Sequence, residues 1–188
     1  MFVRRYPGPS ASGGRRAAAG TMAGMSFPGS YPPPVYDGAG EVSATYRSDG
    51  DAHDLGAAPG NTVDYLATSA STEGAFGLYR WNFGSHVSGP DPHFHKTLWE
   101  SFYVLSGTLR IYDGSRWVET TSGDFVNVPP GGVHGFRNES GEPASMLLLF
   151  TPGAPREEYF ETLFAGGTKD MTDEEKAAFY LRHDNHWL

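Results

Sequence analysis

Cysteine is absent from the 188 residues. Its absence excludes disulfides and thiolate metal ligands, and it fits a reducing compartment, so the expected location is cytoplasmic. Also missing is any apolar run approaching the roughly 18–20 residues that a membrane-spanning helix needs. Basic charge is scarce. Lys and Arg total 14 against 22 Asp and Glu, a net charge of −8. Four of those cations, Arg4, Arg5, Arg15 and Arg16, lie in the first 36 residues, which hold no acid. The remainder carries 10 basic and 22 acidic residues, a balance of −12. Such a body lacks the basic face that a nucleic-acid backbone requires. The paired arginines are followed by "AAAGTMAGMSFPGSYPPP", which has no apolar core, so they are not read as an export signal. No glycine-rich loop opens a helical pattern, and no serine nucleophile has a recognisable setting.

Turn residues and rings, by contrast, are plentiful. Glycine and proline number 39 (25 plus 14), and aromatics make up 14% of the chain. Long helices tolerate that composition badly; short strands joined by turns suit it. Residues 1–40, rich in Gly, Pro, Ser and Ala, are expected to form a disordered tail, with Met22 and Met25 as alternative translation starts. Residues 41–152 read as one β domain. In "GAFGLYRWNF" Phe76, Leu78 and Arg80 alternate with Tyr79, Trp81 and Phe83. Asp113-Gly114 joins two β-rich runs as a hairpin, "GDFVNVPPGGVHGFRN" is two short strands about a turn, and "ASMLLLFTP" is a central apolar strand. These signals together indicate an antiparallel sandwich or barrel. Residues 153–188 form a helical extension packing on it. One helix runs from Pro155 to Gly166-Gly167 with Tyr159, Phe160, Leu163 and Phe164 on one stripe. A second begins at a capping box, Thr172 to Glu175.

Chemistry concentrates in "PDPHFHKTLWE". On a strand, residues two apart share a face, so His93 and His95 present both imidazoles together. A bend at Lys96-Thr97 resets the parity, so that Glu100 joins that face with Phe102 and Val104 following it. His134, just beyond the turn Pro129–Gly132, returns beside them. Three imidazoles and a carboxylate make a borderline site for Fe, Mn, Ni, Cu, Co or Zn as a divalent ion. Four protein ligands leave positions open for reaction partners, as in working rather than structural sites. His53, His86, His183 and His186 are isolated and read as surface or capping residues, and Asp91 as a turn residue beside Pro92. The sequon Asn138-Glu139-Ser140 carries no weight without an export signal.

The spacing is specific. Gly89-x3-His93-x-His95-x4-Glu100-x6-Gly107 is followed by Gly123-x5-Pro129-x-Gly131-x2-His134-x3-Asn138. In these two blocks the chain resembles the cupin family, although the first glycine lies three rather than five residues before the first histidine. The resemblance covers about residues 65–152. It implies an all-β fold, a double-stranded β-helix or jelly-roll barrel, here with two short C-terminal helices. It also implies one divalent metal on His93, His95, Glu100 and His134. Within that superfamily the chain is similar to small single-domain proteins of the quercetin-dioxygenase type. The similarity implies an oxygenase acting with dioxygen on an enolic or aromatic small molecule, with Glu100 as general base. Phe94, Trp99, Phe102, Phe125 and Phe136 are the candidate walls of its pocket. The same ligands also serve a non-oxidative isomerase, cyclase or lyase, or a binding protein without turnover. Family analogy further implies a homodimer.

Overall fold

The computed structural model describes residue 31 and residues 33–188, so most of the expected tail lies outside the described residues. Residues up to Ala44 and the span Thr45–Leu188 are separate units, and every strand and helix belongs to the second.

Among the described residues that unit comprises eleven strands and two helices. In chain order they are β1 (Leu55–Gly56), β2 (Thr62–Ala67), β3 (Gly77–Phe83), β4 (His93–Phe94), β5 (Trp99–Ser106), β6 (Thr108–Tyr112), β7 (Trp117–Thr121), β8 (Phe125–Val128), β9 (Gly135–Arg137), β10 (Ala144–Thr151), α1 (Glu157–Phe164), α2 (Asp173–Arg182) and β11 (His186–Trp187). A six-stranded sheet has the order β1-β2-β3-β10-β5-β8, and a three-stranded sheet the order β7-β6-β9. The expected jelly-roll architecture is what forms: antiparallel strands in opposed sheets, with helices confined to the C-terminal end. Among the described residues no helix is long and apolar enough to cross a membrane.

Alternation builds the interior. On β10, Ala144, Met146, Leu148 and Phe150 are buried, and their neighbours are only partly so. This strand is central, pairing with β3 on one side and β5 on the other. On β3 the inward residues are Tyr79, Trp81 and Phe83, which meet Phe136, Phe150 and Phe160 in edge-to-face contacts 5.2–6.4 Å between centroids. Each such buried ring contributes on the order of 1.5–3 kcal/mol by leaving water.

The turn at Pro129–Gly132 forms between two short strands, but not as a hairpin. Its flanking strands do not pair with each other: β8 joins β5 in the large sheet and β9 joins β6 in the small one. The turn therefore carries the chain from one sheet to the other. Gly131 takes a positive φ of 80° there, and its N–H donates to the His95 carbonyl at 2.6 Å. A side chain would be strained in that conformation. The second C-terminal helix starts as expected, while the first begins at Glu157, two residues after Pro155. Thr172 accepts from the Glu175 N–H, and the Glu175 carboxylate accepts from the Thr172 N–H.

Candidate metal centre

His93 and His134 are brought together by backbone. Each donates its N–H to the other's carbonyl at 2.8 Å, an isolated antiparallel bridge between the two opposed segments. His95 follows His93 by two residues, and β5 then delivers Glu100 from the large sheet. All four side chains are buried, and one ligand atom from each lies within 4.8 Å of those of the others.

The imidazoles are also oriented. Nδ1 of His93 donates to the Asp91 carbonyl at 2.9 Å, Nδ1 of His134 to the Gly132 carbonyl at 2.9 Å, and Nδ1 of His95 to the Asp184 carbonyl at 2.6 Å. With each Nδ1 proton committed, the Nε2 atoms face the cluster centre, where those of His95 and His134 lie 3.0 and 2.8 Å from Glu100 Oε2. Carbonyl-anchored imidazoles are how proteins hold histidine as a neutral metal ligand. The donor set and its support thus fit a divalent transition-metal ion of the borderline class.

Electrostatics agree. Burial pushes His93 down to about 4, and the neighbouring His134 adds to the shift. Burial alone would raise Glu100, but the charge and hydrogen bonds of His134 and His95 hold it well below the usual carboxylate range. His134 is raised, because its pairing with Glu100 outweighs burial. The carboxylate is therefore ionised, as a ligand must be.

A cavity of about 530 Å³ opens against this cluster, with His93 and Glu100 in its wall. Of the five rings expected to line it, Phe136 does. The others are placed elsewhere. Phe94 and Trp99 are immediate neighbours of ligands and so point away from them: Phe94 stacks on His186 at 5.0 Å, and Trp99 is 43% exposed. Phe125, on the edge strand β8, is 61% exposed. Phe102 points inward but is fully buried against His134 and Phe136, in the packing beneath the site rather than in the cavity.

Besides Phe136, the rings of the wall include Trp81, Phe150, Tyr159, Phe160 and Phe164, with Trp187 beside His93 at 5.0 Å. Three of these belong to α1, so the first helix closes over the barrel interior. The C-terminal segment completes the site in a way no local pattern announced. β11 pairs with β4, placing Trp187 opposite His93. Asp184 orients His95 through its carbonyl, and its carboxylate accepts from the N–H groups of Lys96 and Thr97 and from the Thr97 hydroxyl at 2.7–3.0 Å. That contact fixes the bend that resets the parity between His95 and Glu100. Those hydrogen bonds also hold the Asp184 carboxyl below its ordinary range against the opposing effect of burial.

The remaining histidines with described partners are structural. His53 contacts Asp64 at 2.6 Å, His186 stacks on Phe94, and His183 offers its carbonyl to Arg156. Asp91 contributes a carbonyl, while its carboxylate pairs with Arg137. Asn138 is buried, donates to the Gly84 and Glu142 carbonyls and accepts from Ser140. It fastens the chain after β9.

A small antiparallel barrel with a buried three-histidine, one-carboxylate cluster beneath an aromatic cavity defines a class of metal-site β-barrel proteins. Residues 80–150 match the Cupin domain family. A stretch of 71 residues is 32% identical to quercetin 2,3-dioxygenase of Bacillus subtilis (strain 168), covering 38% of this chain. The match spans only a fifth of that protein's length, 20%. Among solved structures, KdgF from Halomonas sp. is 21% identical over 54% of this chain and 88% of its own, with a TM-score of 0.46. The polyketide cyclase RemF from Streptomyces resistomycificus is 25% identical over 50% of this chain and 67% of its own, with a TM-score of 0.44.

Proposed function

We propose that this cupin is a metal-dependent oxygenase that oxidises or cleaves an enolic or aromatic small molecule. The observation that carries the reading is the meeting of two features. Three carbonyl-anchored histidines and an ionised Glu100 converge on one point, and that point borders a cavity walled by aromatic rings. The partial likeness to quercetin 2,3-dioxygenase supports the oxidative chemistry.

His93, His95, Glu100 and His134 would hold the divalent ion, which when bound supplies Lewis acidity toward the substrate's oxygens. The chain does the rest. The rings of Trp81, Phe136 and Phe160 sandwich a flat substrate and exclude water. Glu100, the one carboxylate in the cavity wall among the described residues, takes the proton from the substrate's enol hydroxyl at a carboxylate oxygen. The anion so formed is electron-rich at the ring carbon where oxidation begins.

Oxygen uptake tests the reading. Protein reconstituted with each candidate metal is mixed with a flavonol in an oxygen electrode, and consumption in step with substrate loss is expected. Equal conversion under anaerobic conditions would replace the oxygenase with an isomerase, cyclase or lyase using the same residues. Glu100→Gln is expected to lower turnover by about 100-fold or more. Retention of both metal and full turnover in that variant removes Glu100 as the base.

A further inference from the structure

The cavity holds a cation that the metal chemistry does not use. Arg156 precedes α1, lines the cavity, and is 3% exposed. No carboxylate pairs with it among the described residues. Its Nη1 donates to the His183 carbonyl at 2.6 Å and to Asn185 Oδ1 at 3.0 Å, which uses both protons of that nitrogen. The rings of Tyr159, Phe150 and Phe160 lie 4.4–5.5 Å from the guanidinium carbon and partly offset its desolvation.

Three of the five N–H donors remain. Nε is closed off from solvent and has no acceptor, and no described residue accepts from Nη2. These two groups point in parallel along one edge of the guanidinium plane. That edge is the fork that takes a carboxylate through two hydrogen bonds. A second donor in the same wall is also orphaned: Trp81 Nε1 is buried without a partner. Buried N–H groups are rarely left unpaired, and an uncompensated buried cation costs several kcal/mol. Two such donors around one cavity call for an acceptor-rich occupant.

Charge points the same way. A divalent ion on the cluster exceeds the single negative charge of Glu100, and Arg156 adds a further positive charge. Among the described residues no other carboxylate in the cavity wall offsets them.

We propose that the Nε–Nη2 edge of Arg156, assisted by Trp81 Nε1, recognises the carboxylate of an aromatic acid bound in the cavity. The rings of the wall hold the acid's aromatic body, and the fork sets which end faces the metal cluster. Identifying that acid as substrate or product rests on the oxygenase reading; the binding itself does not.

Calorimetric titration with 2-naphthoate and its neutral counterpart 2-naphthamide tests this, using metal-free and metal-loaded protein. Wild type is expected to bind the carboxylate at least tenfold more tightly than the amide in both forms. Arg156→Gln is expected to abolish the preference while leaving amide binding within about threefold. A role confined to holding the C-terminal segment would weaken both ligands alike, and that result overturns the proposal. So does equal affinity in wild type, a preference that survives in Arg156→Gln, a preference seen only with metal, or no naphthoate binding at millimolar concentration. Should Arg156→Gln fail to fold, the wild-type comparison in metal-free protein decides alone. Loss of oxygen-dependent turnover with the preference intact would sink the oxygenase reading and leave this one standing.

Discussion

Asp64 and Arg156 are both buried charges, at 0% and 3% exposure, yet the protein treats them oppositely. Asp64 lies on the outward face of β2 beneath residues 47–54. Arg80 Nε reaches it at 2.7 Å, His53 Nδ1 at 2.6 Å and Asn82 Nδ2 at 3.2 Å, with Arg47 at 3.7 Å. Those donors hold its carboxyl below the ordinary range despite a burial effect that would raise it. Arg156 sits on the inner side with three donors idle, and burial pushes its guanidinium below its usual range. A saturated charge is finished by folding and serves the fold. An unsaturated one beside a cavity is finished by something else.

The sharpest way to break this contrast is Asp64→Ala. It removes the acceptor shared by Arg80, His53 and Asn82, although Arg80 keeps Asp49 and Arg47 keeps Asp54, and is expected to cost about 2–3 kcal/mol in denaturant unfolding. A loss under about 1 kcal/mol would show that the outer network is decorative. The effect also has a pH signature. Asp64 has a folded pKa below its unfolded value, so its stabilisation is present above pH ~4 and is lost as pH falls through the folded value. The stability gap between wild type and Asp64→Ala should therefore close as pH is lowered through that window, read from urea midpoints at each pH.

Asp184→Gly comes next. It keeps the positive φ of 54° and the carbonyl that orients His95, but removes the carboxylate that caps the bend at Lys96-Thr97. A loss of roughly 1–2 kcal/mol and a metal affinity weakened by up to about tenfold are expected from unfolding and metal-competition titrations. The smallest stability effect belongs to Arg156→Met. An unbranched apolar chain keeps contact with Tyr159 and Phe160, and shedding the desolvation cost offsets the lost hydrogen bonds to His183 and Asn185, so the expected change is within about 1 kcal/mol. A cost matching that of Asp64→Ala would erase the distinction between the two charges.

The convergence of His93, His95, Glu100 and His134 could be read from sequence and the buried arginine could not, for physical reasons. The cluster was legible because strand alternation and turn chemistry act over a few residues. His93 and His95 share a face by periodicity, and Gly131 marks the turn that returns His134. The capping box at Thr172 is local in the same sense. Ring placement failed where parity was ignored: Phe94 and Trp99 adjoin ligands and must point away from them. Arg156 and Asp184 were illegible because their partners lie 27–29 and 87–89 positions away in the chain. The one hint was density, since "HDNHWL" packs four polar or charged side chains and a tryptophan immediately after a capped helix.

The hydrogen bond from His95 to the Asp184 carbonyl has a thermodynamic corollary. If an anchored His95 binds metal more tightly than a loose one, bound metal must favour the anchored arrangement by the same factor. Metal occupancy and the docking of β11 then share a single coupling free energy. The ion would stiffen the C-terminal strand by as much as that strand improves the ion's hold, so either end of the coupling can be measured from the other.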